Sequence, residues 1–104
     1  MYLSPLNNMP SDPRAEALNR LYHAVFLLAS EIGSIEERLA RAYFLYLAAI
    51  HTPALPDEAR ERFERIRAEL KAMYPVEGAV GGVDRDRAVN LAQSLLLLYD
   101  DLNP

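Results

Sequence analysis

Gly78, Gly81 and Gly82 stand just before a helix start, where free backbone N–H groups could cradle a phosphate. Their spacing fits neither GxxxxGK(S/T) nor GxGxxG, and Asp84 and Asp86 would repel an anion there. The segment 74–83 therefore reads as a loop between helices. Two carboxylate pairs, Glu36-Glu37 and Asp100-Asp101, are of the residue type that serves general acid–base catalysis. That chemistry needs one carboxyl perturbed by burial, and neither pair falls on an apolar stripe. Glu36 and Glu37 suit the positive end of a helix dipole, while Asp100-Asp101 falls where fraying is common.

The two histidines offer less. His23 falls beside Glu16 and Arg20, away from the apolar side of its helix, and reads as a surface side chain. His51 ends the second predicted helix, where a cation is welcome beside terminal carbonyls. Neither follows an acidic residue or a histidine by three or four positions, so the Glu-x-x-His and HExxH metal patterns are missing. No metal, cofactor or enzyme activity is expected. Tyr43, Tyr46, Tyr74 and Tyr99 lie at or beside apolar stripes and read as core packing with hydroxyls at the rim.

The elements that would position these residues are all helical. Residues 1–10, with two prolines and two asparagines, read as a flexible N-terminal arm, and 11–104 as a single helical domain. Ser11 or Asp12 caps a first helix over about 13–32, with Pro13 in the first turn, where a missing N–H costs nothing. Leu18, Leu21, Tyr22, Val25, Leu28, Ala29 and Ile32 form its predicted stripe. Gly33 stops it. Ser34 and Glu37 then match a capping box that opens a second helix over about 35–51, ended by Thr52-Pro53. A third helix over about 56–73 carries Ala59, Phe63, Ile66, Leu70 and Met73 on an otherwise charged surface, with Glu58–Arg62 and Glu61–Arg65 spaced for pairing. A fourth, over about 85–102, has its stripe at Ala88, Leu91, Ala92, Leu95, Tyr99 and Leu102, with Leu98 beside it. The expected fold is an all-α, compact four-helix domain with mainly antiparallel neighbours and a central apolar second helix.

Composition narrows the function classes. The 104 residues are 51% hydrophobic, enough for one modest core, and carry a net charge of −4, so the basic footprint of nucleic-acid binding is missing. Without cysteine there is no disulfide, thiolate metal site or cysteine nucleophile. The first residues lack a signal-peptide pattern, and the longest apolar run, Ala42 to Ile50, is far short of the roughly 20 residues that span a bilayer. A soluble cytoplasmic protein without membrane contact is expected.

The stretch 27–50 has the rhythm of a DNA-reading helix-turn-helix, with Ala29, Gly33 and the apolar Ile32 and Leu39 where such a motif wants them. Its second helix, however, opens with Glu36 and Glu37, which would repel phosphates, and then turns apolar where a groove needs polar side chains. A packed helical hairpin accounts for the same residues.

One feature points to a partner. Opposite its main stripe of Ile35, Leu39, Ala42, Tyr46, Ala49 and Ile50, the second helix carries Ala40, Phe44, Leu47 and His51, with Ala48 beside them. Such a second stripe is either covered within the chain or buried against another protein. Phe26, Leu27 and Leu97 are further apolar residues off their stripes and join it as a candidate interface. The leading expectation is a protein–protein interaction module, a homodimer being its simplest form. The alternative is a helix-turn-helix regulator using the 27–50 hairpin.

Overall fold

The computed structural model describes residues 12–78 and 80–102, which form four helices and, among the described residues, no strand. These are α1 (Pro13–Ser30), α2 (Ile35–Leu45), α3 (Asp57–Met73) and α4 (Arg85–Leu102), with short 3-10 turns at Leu47–Ala49 and Thr52–Ala54. The expected all-α four-helix domain is the observed one. The N-terminal arm and the candidate cap Ser11 lie outside the described residues. None of the described helices is long and apolar enough to cross a membrane.

Asp12 caps α1, its carboxylate accepting the Arg14 N–H at 3.1 Å, and Pro13 opens the helix. The helix ends at Ser30, two residues before the predicted stop, and leaves Ile32 exposed. Gly33 then turns the chain at φ +124, a region that favours glycine, and a Cβ there would stand 3.2 Å from Glu37 Oε1.

The capping box forms as expected. Ser34 Oγ accepts the Glu37 N–H at 3.1 Å, and Glu37 Oε1 accepts the Ser34 N–H at 3.0 Å and its hydroxyl at 3.2 Å. The Ser34 backbone N–H, then its hydroxyl, then nearby Arg41 together hold the Glu37 carboxyl below its ordinary 4.5. A group whose pKa is depressed by folding contributes stability that is present above the unfolded value and lost as pH falls through the folded one. The melting temperature of the wild type should therefore fall more steeply with acid below about pH 4.5 than that of Glu37→Gln, which keeps the hydrogen bonds without the charge. Parallel slopes in a thermal series from pH 6 downward would contradict this role.

The second helix departs from expectation. It stops at Leu45, six residues before the predicted end at 51, and continues as 3-10 turns. Pro53 disfavours helix at the residue before it, and α3 holds the segment that follows α2. Arg67 of α3 donates to the Ile50 carbonyl at 2.7 Å and to Thr52 Oγ1 at 2.6 Å, and Arg60 donates to the Pro53 and Leu55 carbonyls at 3.1 Å. These guanidinium groups bond carbonyls of the segment after α2 that have no helical partner of their own. Leu47, Ile50 and Leu55 are thereby all buried. His51 consequently starts a 3-10 turn and does not cap a helix C-terminus.

Within α2 the two stripes read from the sequence merge into one. Leu39, Ala40, Ala42 and Tyr43 are buried, an arc of roughly 160° centred near Tyr43. The α3 stripe Ala59, Phe63, Ile66 and Leu70 is buried as expected, with Met73 half-buried, and α4 buries Ala88, Leu91, Ala92, Leu95 and Leu98. Arg62 does not need Glu58, because it reaches across to Asp101 at 2.6 Å. Arg87 likewise meets Glu69 at 3.4 Å, so both pairs tie α3 to α4 and Asp101 sits in an ordered last turn. α2 and α4 pack together and each touches α1 and α3, so the central place expected of the second helix is shared with the fourth. Among the described residues the buried apolar side chains join one core, with Tyr74 wholly inside it at the end of α3.

Candidate interaction face on the first helix

Helix α1 buries Ala17, Leu21, Ala24, Leu27 and Leu28, a face turned by roughly 80° from the predicted stripe. The physical reason is that apolar residues occupy most of its circumference, so periodicity cannot choose between faces. Packing selects the side with small Ala17 and Ala24, over which a neighbouring helix can approach closely. Tyr22 and Phe26 are left outward, at 45% and 57% exposure.

These two rings begin a continuous aromatic surface. Tyr22 stacks on Phe26 at 6.1 Å between centroids and meets Tyr99 of α4 at 6.0 Å. His23 lies 5.6 Å from Tyr22 and 5.5 Å from Tyr46, which follows α2. Leu96, 43% exposed, precedes Tyr99 by one turn on the side of α4 turned away from the Arg62–Asp101 and Glu69–Arg87 pairs. Between α1 and α2 runs a groove of about 300 Å³ lined by His23, Phe26, Leu27, Ser30, Glu31 and Tyr46.

Apart from Glu31 at the end of the groove, the face is also free of formal charge. No Asp, Glu, Lys or Arg occurs from Leu21 to Ser30 or from Ala88 to Tyr99. The outer side of α3 is the opposite, with Glu58, Glu61, Glu64, Arg65, Glu69 and Lys71 exposed. Depletion of charge together with exposed Tyr and Phe is the composition of an interface core.

The candidate interface residues read from the sequence divide. Phe26 and Leu97 are exposed, Leu97 at 62% on the outer side of α4, and Ala48 and His51 are exposed near the 3-10 turns. Leu27, Ala40 and Leu47 are buried in the core. Phe44 is half-buried against that core and lines a groove of about 370 Å³ between α2 and Gly78 and Val80. The structure thus does not bring the second-stripe residues together as one open face. Tyr22, Tyr99 and Leu96, absent from that set, join Phe26. The signal that could have found them is the charge-free interval on two helices.

The basic residues of the 27–50 hairpin are occupied. Arg38 donates to the Leu28 carbonyl and to those of Gly33 at 3.1 Å and Ser34 at 3.4 Å, and Arg41 donates to the Ile32 carbonyl at 2.9 Å. They stitch the turn between α1 and α2. Among the described residues no group of three or more His, Asp or Glu side chains is placed to hold a metal ion. No protein-family model matches the chain, and neither a curated protein nor a solved structure is significantly similar to it.

Proposed function

We propose that the protein is a small helical interaction module that works by burying the charge-free face of α1, flanked by α4 and Tyr46, against another protein chain. The observation that carries this reading is the ring cluster in which exposed Tyr22, His23 and Phe26 meet half-buried Tyr46 and Tyr99, on helices without formal charge from Leu21 to Ser30 and from Ala88 to Tyr99. Aromatic anchors of this kind dominate the energy of protein interfaces. No catalytic role is part of the proposal, and a cytoplasmic setting is. The helix-turn-helix alternative draws no support from Arg38 and Arg41, whose guanidinium groups are spent on carbonyls of the turn. The test is Phe26→benzoylphenylalanine, irradiated in cells expressing the full chain. We expect a protein adduct from position 26 and none from the same probe at Glu64, on the charged side of α3. Equal labelling from both positions, or none from position 26, would defeat the reading.

A further inference from the structure

Resting on that reading, we infer that the partner places an arginine side chain in the groove between α1 and α2, its guanidinium against the Phe26 and Tyr46 rings and hydrogen-bonded to Glu31. The lining has the parts such a group requires. Phe26, His23 and Tyr46 border the groove, and the His23 and Tyr46 rings stand 5.5 Å apart at 78°, forming a corner and not a flat surface. Ring faces attract a cation that comes within about 6 Å of their centroids. Beside the rings the groove offers acceptors. Ser30 Oγ donates its proton to the Phe26 carbonyl at 2.6 Å and so is left as an acceptor, and Glu31 supplies a carboxylate. Among the described residues no Lys or Arg lines the groove, so with His23 neutral its formal charge is that of Glu31.

This end of α1 lacks a cation of its own. Glu31 is the C-cap, at the negative end of the helix dipole, and the last turn holds no basic residue. The two arginines that reach this end from α2 are committed elsewhere. Arg38 donates to the carbonyl of Leu28, roughly opposite Phe26 around the helix, and Arg41 donates to the Ile32 carbonyl at 2.9 Å. Arg41 stands 4.0 Å from the Glu31 carboxylate, outside hydrogen-bond reach. Glu31, with half its side chain exposed, thus keeps its acceptor sites for a second guanidinium.

Size and charge select the source of that group. At about 300 Å³ the groove lies at the bottom of the range for small-molecule pockets, with room for one side chain and not for a cofactor. The net charge of −4 favours the approach of a basic segment. Arginine fits better than lysine, because its planar guanidinium lies on a ring while its N–H groups fork a carboxylate.

Titration of the isotope-labelled full chain with the peptide acetyl-Gly-Ala-Arg-Ala-Gly-amide, followed by nuclear magnetic resonance, tests this. We expect saturable amide shifts at Phe26, Ser30, Glu31 and Tyr46, with a dissociation constant on the order of 1 mM. The same peptide with citrulline, which keeps arginine's shape without its charge, should bind about tenfold more weakly or worse. Glu31→Gln, a surface change that leaves the fold intact by circular dichroism, should weaken the arginine peptide on the order of fivefold. Glu64→Gln, on the charged side of α3, should bind it like the wild type. Equal binding of the citrulline peptide, an unchanged affinity in Glu31→Gln, or shifts confined to other acidic residues would overturn the inference. A lysine peptide that binds as tightly would overturn the choice of arginine. Absent shifts at the groove together with a protein adduct from position 26 overturn the arginine and leave the interaction reading standing. If position 26 gives no adduct, the partner falls and its arginine with it.

Discussion

Tyr74→Ala should lower the stability of the domain by about 3–5 kcal/mol, the usual loss for truncating a fully buried aromatic ring. For a chain of this length the melting temperature would drop by on the order of 20 °C. Tyr74 is 1% exposed and closes α3, its N–H donating to the Leu70 carbonyl at 2.8 Å. Its hydroxyl donates to the Glu36 carbonyl at 2.9 Å, in the first turn of α2. One side chain therefore fastens the end of the third helix to the start of the second. Tyr74→Phe keeps the ring and should cost only about 1 kcal/mol, one net hydrogen bond. It should also change the alkaline behaviour. Burial, and then the nearby Glu36 carboxylate, push the Tyr74 hydroxyl from 10.0 up to about 12. The unfolded chain thus ionises first, and the stabilisation present below pH 10 is lost as pH rises toward about 12. Denaturant titrations between pH 9 and 12 should show this loss in the wild type and a shallower one in Tyr74→Phe. Equal slopes would mean that the hydroxyl is not shielded by the fold.

Leu47→Ala should cost about 2–5 kcal/mol and leave association unchanged. Leu47 is 0% exposed, in the 3-10 turn that follows α2. Its neighbours in the core include Ile50 and Leu55, brought inward by the same break in the helix. Were the second stripe an outer interface, the same substitution would cost little stability and would weaken self-association instead. Chemical denaturation alongside light scattering separates the two, and a loss below about 1 kcal/mol would show that Leu47 is not the core residue described.

The difference between Leu47 and Phe26 shows where sequence patterning has force. In α3 and α4 it was sufficient. Charged residues surround Ala59, Phe63, Ile66 and Leu70 so completely that only one face of α3 can be buried, and Ala88, Leu91, Leu95 and Leu98 leave α4 little choice. In α1 it was not. Tyr22, Val25, Ala29 and Leu27 flank the helix on both sides, and several rotations bury similar apolar area. The rotation that hides Leu27 leaves Tyr22 and Phe26 exposed.

By itself, then, the sequence determined what local chemistry decides: four helices, the Ser34–Glu37 capping box, the turn at Gly33, and the faces of α3 and α4. Each rests on residues within a few positions of one another, so the signal survives without the rest of the chain. The tertiary structure alone decided where α2 stops, which side of α1 faces inward, and what the arginines do. Those outcomes depend on groups far apart in sequence. Arg67 claims Ile50 and Thr52, Arg62 passes over Glu58 for Asp101, and Tyr99 comes to rest beside Tyr22. The candidate face belongs to this second kind, because it is the surface that remains after the core has chosen its side chains.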